Sequence, residues 1–519
     1  MQSRLLLSLA TAALAVGCGD SHRRAAGAGA PAHSPLGPVG EGGGVRIYGG
    51  EAVMLPDGPP CTREAGASGD RWCGFLATSE TGRNDLYVVN VTQVLAGVPV
   101  ACGESDPNCI LLAEEVIADA NSWRPIYFDG DTLVYYDATL TPRVWRPGMD
   151  AGRLLAERQP GAELQFCAPA AAGTAVICLE LPDVQMDPKL VQANLYVGTA
   201  DGETEPLLHP VEQVIIGSNE TLKGVLRFKC GFPADGYVAW STPDSIEEPE
   251  ILKLVQAGDL ASSVHVASDV FAWNVSPDAS RWHWLTDIDE KGAGVLSVAP
   301  FPDGSDPIEV LHDVTDYALA ADSALVALTT EGDVWAVPDP LLEPADQRLL
   351  DQGAKELLAI GDGEFVAYAK LVVGKTNSDL YVSNVDTSQT CVLDETAEVP
   401  NSSLNFSPNG EALLWATPTP DGYDAHVSEL GTCQTTRLAS DIAVLGWVGD
   451  RTMVLVDDYD TTKLSGSLRF RNLTDAALRT RPTLVAEHVT SNAITGSTLL
   501  YTARNADEND GVYVRAFGE

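Results

Sequence analysis

The chain consists of short apolar stretches separated by turn-forming Gly, Pro, Asn and Asp residues. A typical stretch is Asp-Leu-Tyr-Val-Ser-Asn over residues 379–384, where β-branched and aromatic side chains favour a strand. Almost no segment has the 3.6-residue periodicity of an amphipathic helix. The pattern therefore predicts an all-β protein built of many short strands.

One aromatic position recurs along the chain at a nearly constant spacing. With Tyr381 as the reference, the equivalent residues are Tyr87, Trp145, Tyr196, Trp335, His426, Phe470 and Tyr513. From Trp335 onward the spacings are 46, 45, 44 and 43 residues. A period in the forties with four strand-like pieces is typical of β-propeller blades. With two further units near Leu252 and Leu296, the sequence predicts a β-propeller of roughly 8–10 four-stranded antiparallel blades of about 45 residues.

One repeat divides completely into strands and turns. Its four strands are predicted at Ser403–Ser407, Ala412–Thr417, Tyr423–Glu429 and Thr435–Ala439. A Pro-Asn-Gly turn separates the first two strands, and Gly410 supplies the positive φ angle that the chain reversal needs. A single blade cannot bury both faces of its sheet, so neighbouring blades must stack against it.

Two segments share a Ser-Pro turn between a pair of strands. They are Phe-Ser-Pro-Asn-Gly-Glu-Ala-Leu-Leu-Trp-Ala-Thr over residues 406–417 and a second copy over residues 275–286, offset by 131 residues. This turn resembles the repeat of TolB-like propellers, whose blades carry a Ser-Pro-Asp-Gly turn between their first two strands. The resemblance covers two blades in sequence and the others only in period. It implies a propeller fold and a cell-envelope setting.

The last repeat provides three predicted strands, near residues 492–494, 499–504 and 512–517. An open third strand would leave a row of unpaired backbone groups at a sheet edge. The β-prone segment Val45–Tyr48 belongs to no other predicted blade. We therefore predict that it pairs beside Val512–Phe517 as the missing outer strand and closes the propeller.

The N-terminal residues have the features of a targeting signal. Arg4 is followed by the apolar stretch Leu5–Val16, which is too short to span a bilayer. The run Ala-Val-Gly-Cys over residues 15–18 resembles the lipobox of bacterial lipoproteins, with Ala where Leu is commoner. The resemblance implies cleavage before Cys18 and lipidation of its thiol, which would anchor the protein in a membrane. The alternative is an ordinary signal peptide followed by an unrelated cysteine.

The domain organisation follows from this signal and from the repeats. Residues 1–17 are predicted as a lipoprotein signal peptide, residues 18–43 as a lipidated, flexible tether and residues 44–519 as the β-propeller. In lipoprotein families where Asp after the lipidated cysteine retains the protein in the inner membrane, Gly19 implies the outer membrane rather than the inner.

The charge of the chain limits its partners. It contains 32 Lys and Arg residues against 73 Asp and Glu residues, for a net charge of −41. This acidity argues against nucleic acid as a partner and against a broad electrostatic attachment to anionic lipid. We therefore expect membrane contact through the lipid on Cys18.

Ten cysteines are present, and an exported location permits disulfides. Cys230, Cys391 and Cys433 have no close neighbour in sequence. We expect Cys391 and Cys433, which begin outer strands in adjacent blades, to be too far apart to pair. Three disulfides are predicted between cysteines close in sequence: Cys61–Cys73, Cys102–Cys109 and Cys167–Cys178.

The motifs of common catalytic sites are missing from the sequence. It contains no Gly-x-Ser-x-Gly nucleophile elbow, no His-Glu-x-x-His zinc motif and no Walker motif. Trp282, His283 and Trp284 form the densest aromatic cluster. For this cluster we favour core packing between blades over a ligand platform.

Acidic loops are the candidate cation sites. The loop over residues 505–511 carries oxygen donors at Asn505, Asp507, Asn509 and Asp510, an alternation that resembles a calcium loop. It departs from the EF-hand pattern, because Asp510 stands where Gly is expected and no bidentate Glu follows. The loops over residues 287–290 and 457–460 are also rich in carboxylates. We predict no cofactor, and calcium at residues 505–511 is the alternative to a solvated hairpin.

The sequence leads to three hypotheses on function, the third of which is a purely structural spacer. We favour an envelope-anchored propeller that acts as a protein-binding or scaffold module, with another envelope protein as its partner. The alternative is an envelope enzyme, of polysaccharide lyase or hydrolase type, with a site in the central funnel. Three or more converging ionisable side chains with perturbed pKa values would favour the enzyme.

Overall fold

The structure is a computed structural model. It describes residues 44–55, 59–62, 69–78, 83–100, 102, 106–116, 126–155, 163–170, 173, 175–181, 190–199, 208–219, 225–226, 229–231, 236–243, 250–256, 259–319, 325–337, 347–361, 364–371, 378–394, 404–419, 422–442, 444–460, 463–473, 482–504 and 510–517. Cys18 and the predicted tether lie outside these ranges. None of the helices in them is long and apolar enough to cross a bilayer.

Strands dominate the described chain, with one short helix, α1 (Val91–Leu95), between two of them. The strands of the first half are β1 (Val45–Gly49), β2 (Ala52–Met54), β3 (Trp72–Thr78), β4 (Asn84–Asn90), β5 (Cys109–Val116), β6 (Tyr127–Asp129), β7 (Thr132–Tyr136), β8 (Pro142–Trp145), β9 (Arg153–Leu154), β10 (Glu163–Ala170), β11 (Ala175–Leu181), β12 (Leu190–Thr199), β13 (Leu208–Asn219), β14 (Val225–Leu226), β15 (Lys229–Gly231), β16 (Tyr237–Pro243), β17 (Glu250–Gln256) and β18 (Asp259–Ser268).

The second half continues in the same way. Its strands are β19 (Val270–Val275), β20 (Arg281–Thr286), β21 (Gly294–Pro300), β22 (Ile308–Leu319), β23 (Leu325–Thr329), β24 (Val334–Val337), β25 (Arg348–Asp351), β26 (Ala354–Ile360), β27 (Phe365–Leu371), β28 (Ser378–Asn384), β29 (Thr390–Asp394), β30 (Asn405–Phe406), β31 (Ala412–Thr419), β32 (Gly422–Glu429), β33 (Gln434–Ile442), β34 (Val444–Val448), β35 (Thr452–Asp460), β36 (Ser465–Asn472), β37 (Thr483–Thr495), β38 (Thr498–Ala503) and β39 (Gly511–Ala516).

These strands form eight sheets, in which neighbouring strands follow chain order almost throughout. Such meanders of about four strands are the blades of a β-propeller, so the predicted fold class is confirmed. Five sheets have four strands, one has five strands and two have seven. The smaller sheets are β2–β5, β6–β9, β10–β14, β15–β18, β26–β29 and β30–β33.

Each seven-stranded sheet contains two blades that share one long strand. The first part of β22 pairs with β21 and its last part pairs with β23. Asp313, with a φ of 56°, lies between these two parts, and His488, with a φ of 58°, occupies the same place in β37. Counted in this way, the described chain has ten blade-like units, within the predicted range.

The recurring aromatic position lies on the third strand of each blade. Tyr381 on β28 faces Tyr368 on β27, and His426 on β32 faces Trp415 on β31. The two rings of each pair are stacked, with centroids 5.9 Å and 4.3 Å apart. The period in the sequence therefore records one cross-strand contact that is repeated from blade to blade.

The two Ser-Pro turns have the same hydrogen bonds. Ser407 Oγ accepts from the backbone N–H five residues later at 2.9 Å, and Ser276 Oγ does the same at 3.0 Å. The fourth residue of each turn has a positive φ, 70° at Gly410 and 54° at Ala279. Glycine adopts this conformation without steric cost, whereas alanine does not. Ala279 is therefore a strained version of the turn that Gly410 completes freely.

The described residues group into two compact units. The first comprises residues 46–275 and 300–305, and the second comprises residues 44–45, 276–299 and 306–517. Within each unit, apolar clusters fill the space between consecutive blades. In the first unit, for example, Trp72 of the β2–β5 sheet contacts Trp145 of the β6–β9 sheet, with ring centroids 5.4 Å apart. A single domain over residues 44–519 stays a prediction.

The N-terminal strand is placed beside the last strand of the chain. The second seven-stranded sheet has the order β1-β39-β38-β37-β36-β35-β34. Gly44, next to β1, donates its N–H to the Tyr501 hydroxyl at 2.9 Å. A Cβ at Gly44 would lie 2.1 Å from the Val514 carbonyl oxygen, so a larger residue would push the strand away. The pairing predicted for Val45–Tyr48 is confirmed.

Candidate functional site

The three expected disulfides are present. Their Cα–Cα distances are short because each pair faces across a strand pair or closes a tight loop. Cys167 and Cys178 are directly opposite each other on β10 and β11, and both are fully buried. The Cα–Cα distances are 3.9 Å for Cys61–Cys73, 5.1 Å for Cys102–Cys109 and 4.1 Å for Cys167–Cys178.

The expectation that Cys391 and Cys433 are too far apart is wrong. They form a fourth disulfide, with a Cα–Cα distance of 5.4 Å. Cys391 lies on β29, but Cys433 ends the turn before β33 and has a φ of 58°. This turn extends to the edge of the preceding blade, and the carbonyl oxygen of Leu430 lies 3.6 Å from Cys391 Sγ. The prediction failed because it used the distance between two outer strands, whereas Cys433 lies in a turn that extends towards the neighbouring blade.

The candidate calcium loop over residues 505–511 is described only from Asp510 onward. Asn505, Asp507 and Asn509 lie outside the described residues, and Asp510 directly precedes β39. Within the described ranges, no group of three or more His, Cys, Asp or Glu residues could hold a metal ion. Calcium at residues 505–511 stays a prediction.

One carboxylate in each of the other two acidic loops, Asp289 and Asp457, has protein partners. Asp289 accepts the backbone N–H groups of Lys291 and Ala293 at 2.8 Å and 2.9 Å, which closes the hairpin after β20. Arg469 Nε lies 2.7 Å from both carboxylate oxygens of Asp457. These contacts give both loops a structural role in turn formation and pairing.

The aromatic cluster of β20 lies in the core. Trp282 and His283 are fully buried and Trp284 is 4% exposed, so core packing is the role that the structure supports. Burial lowers the pKa of His283 to about 3, and the charge of Arg281 contributes in the same direction. His283 is therefore neutral and closed to solvent, and it cannot serve as a surface base.

The candidate site lies on two neighbouring blades of the second unit. Asp316 is on the second half of β22, the first strand of its blade, and Glu356 is on β26, the first strand of the next blade. Propellers place these first strands closest to the centre, where ligand sites usually lie. The two strands are in contact, and both carboxylate residues are exposed to solvent.

Asp316 has a strongly perturbed pKa. Its side chain reaches solvent, but surrounding protein atoms remove part of its hydration, and this raises the pKa to about 6. The N–H of Tyr317 donates to Asp316 Oδ1 at 2.8 Å and opposes the rise, while the charge of Glu356 adds to it. A carboxyl group with such a pKa can take up and release a proton near neutral pH.

Asp316 and the next residue, Tyr317, point to opposite faces of β22 because side chains alternate along a strand. Tyr317 points into the core, where its hydroxyl donates to the carbonyl oxygen of His283 at 3.0 Å. Sequence reasoning missed Asp316 because its perturbing partner, Glu356, is forty residues away in the chain. The sequence does contain one clue to this pair. An acidic residue occurs in the first strand of each of two consecutive blades, so the two carboxylates can lie close together.

The comparisons with known proteins are limited to fold. The sequence matches no protein-family model and no curated protein. Similar solved structures include a eukaryotic initiation factor, at 12% identity and a TM-score of 0.48 over 80% of this chain and 97% of that chain. TolB from Acinetobacter baumannii aligns at 12% identity and a TM-score of 0.25 over 55% of this chain and 78% of that chain.

An oligogalacturonate lyase from Vibrio parahaemolyticus aligns at 10% identity and a TM-score of 0.35, over 91% of this chain and 92% of that chain. At such values the similarity carries no information on activity. The blades themselves establish that the chain is a β-propeller protein.

Proposed function

We propose that this chain is an exported lipoprotein, anchored to the cell envelope through Cys18, whose β-propeller binds another envelope protein. Two kinds of observation support the proposal. The lipobox-like run before Cys18 supports the anchor, with Gly19 favouring the outer membrane. The described surface of the propeller supports the binding role.

The observation that carries the binding role is a set of exposed apolar residues on outer strands. Leu349 on β25 is 39% exposed and Val392 on β29 is 46% exposed. Each pairs directly with a half-buried aromatic residue on the third strand of its own blade, Leu349 with Trp335 and Val392 with Tyr381. Because β25 contacts β28 of the next blade, the two pairs belong to adjoining strands.

An exposed apolar and aromatic surface of this kind favours contact with a protein. The net charge of −41 favours a partner with a basic rim around its apolar contact surface. The outer strands β25 and β29 are also the edges of their sheets, and an edge strand can pair with a strand of another chain.

The test is site-specific photo-crosslinking in intact cells that carry the full chain. A photoreactive residue at position 392 should give a discrete adduct, and Leu349→Asp should abolish it. Position 464 is the matched control, because Leu464 is 62% exposed but lies in a loop between β35 and β36. Adducts of equal yield from positions 392 and 464, or none from position 392, would contradict the proposal.

The second candidate function is an envelope enzyme of polysaccharide lyase or hydrolase type. Asp316 favours it, because a carboxyl group with a pKa of about 6 can donate or accept a proton during sugar-chain cleavage. The purified protein should then release unsaturated or reducing sugar ends from acidic polysaccharides, and Asp316→Asn should stop the release. Absence of release from a panel of such polysaccharides would remove this candidate.

A further inference from the structure

The Cys391–Cys433 disulfide differs from the other three in what it connects. It spans 42 residues, close to one blade period, whereas the others span 12, 7 and 11 residues. Cys391 belongs to the β26–β29 sheet and Cys433 to the β30–β33 sheet. This disulfide therefore fastens two consecutive blades to each other at their outer side.

The two cysteines of this disulfide differ in exposure. Cys391 is 2% exposed and lies in an apolar cluster with Leu393, Trp415 and Leu430. Cys433 packs against the same cluster but is only half-buried, because it ends a surface turn in which Gly431 and Thr432 are exposed. Thiol–disulfide exchange requires the attacking thiolate to reach one sulfur in line with the bond, so access decides which sulfur is attacked.

We propose that Cys391–Cys433 is a redox-exchange site, attacked at Cys433 by an external dithiol, and that it is a reversible link between the two blades. The thiolate of the dithiol forms a new S–S bond with Cys433 Sγ, and the bond to Cys391 breaks. The sulfur of Cys391 leaves as a thiolate and takes a proton from water. The second thiol of the reagent then attacks the mixed disulfide and releases Cys433 as a thiol. Two electrons pass from the dithiol to the protein, and the reagent becomes a disulfide.

Opening this link has a local structural consequence. Apolar contacts between the two blades then remain, among them those of Leu404 in the segment that connects the sheets. Outer strands are hydrogen-bonded to another strand of their sheet on one side only, so β29 and β33 are the elements that loosen first. The inner strands of both blades keep their pairing.

The first experiment measures how fast each disulfide is reduced in the folded full chain. Limiting dithiothreitol is added, samples are quenched by alkylation, and peptides are quantified by mass spectrometry. Cys391–Cys433 should be reduced roughly tenfold or more faster than the reference Cys167–Cys178, whose sulfur atoms are fully buried. Equal rates for the two disulfides would overturn the proposal.

The second experiment identifies the attacked sulfur. A short exposure to glutathione, a monothiol, traps the mixed disulfide before it resolves. The adduct should be found on Cys433, and an adduct found mainly on Cys391 would overturn the assignment.

The third experiment follows amide hydrogen exchange with and without the link. Cys391→Ala together with Cys433→Ala should raise exchange in β29 and β33 roughly tenfold and leave β36 unchanged. The control pair is Cys102→Ala with Cys109→Ala, which should leave β29 and β33 unaffected. If the double variant does not fold, the same measurement on the selectively reduced native chain replaces it. Unchanged exchange in β29 and β33 would refute the blade link.

Discussion

Replacing His283 with leucine should make the protein less sensitive to acid. The His283 side chain is fully buried, and neither ring nitrogen has a hydrogen-bond partner among the described residues. Burial lowers its pKa from the ordinary value of 6.5 to about 3. The native state therefore keeps this ring neutral over a pH range in which the unfolded chain protonates it.

The sign and size of the effect follow from this difference. The unfolded state binds the extra proton, so the contribution of His283 to stability is complete above pH 6.5 and is lost as the pH falls towards 3. One pKa unit corresponds to about 1.4 kcal/mol. Between about pH 7.5 and about pH 5, protonation of the unfolded chain at this histidine lowers the free energy of unfolding by about 2 kcal/mol.

The assay is urea unfolding of the native chain and of H283L at both pH values. Other groups also titrate in this range, so the quantity to compare is the loss of unfolding free energy on acidification in each protein. That loss should be about 2 kcal/mol smaller in H283L, because leucine binds no proton. His312, whose side chain is 67% exposed, provides the control H312Q, which should match the native chain. An H283L protein that loses as much stability as the native chain would refute the reasoning.

Three further predictions concern the turn, the N-terminal strand and the anchor. Both Ala279 and Gly410 have a positive φ, which glycine adopts more easily than alanine. In thermal unfolding, Ala279→Gly should therefore stabilise the protein by about 0.5–1 kcal/mol, and Gly410→Ala should destabilise it by about 1 kcal/mol. A change of the same sign in both variants would contradict this explanation of the turns. Deleting residues 19–43 should leave the melting temperature unchanged, whereas deleting residues 45–55 removes both β1 and β2 and should lower it markedly. Similar behaviour of the two deletions would argue against the strand pairing. Cys18→Ser should move the protein from the membrane to the soluble fraction, and its retention in detergent-free membranes would rule out the lipid anchor.

The sequence predicted the candidate sites less completely than the fold. The disulfides at Cys167–Cys178 and the two other close pairs followed from sequence distance, because a short loop or hairpin keeps its ends together. The Cys391–Cys433 disulfide could not be predicted in this way, because the direction of the turn before β33 determines whether Cys433 reaches Cys391. Asp316 was missed for a related reason, since its pKa depends on crowding and on Glu356 from another blade.

The sequence by itself determined the repeating unit of this protein. The spacing of Tyr381 and its equivalents, the Ser-Pro turns and the unassigned strand at Val45–Tyr48 are local or periodic features, and each was sufficient to predict the blades and the last strand pairing. Only the tertiary structure decided which side chains lose water and which meet across blades. Strand alternation places His283 on one face of β20 and Trp282 and Trp284 on the other. The sequence does not show that both faces are buried, as they are in the structure. The physical reason is that strand formation depends on nearby residues, whereas desolvation and contacts between blades depend on residues that are distant in the chain.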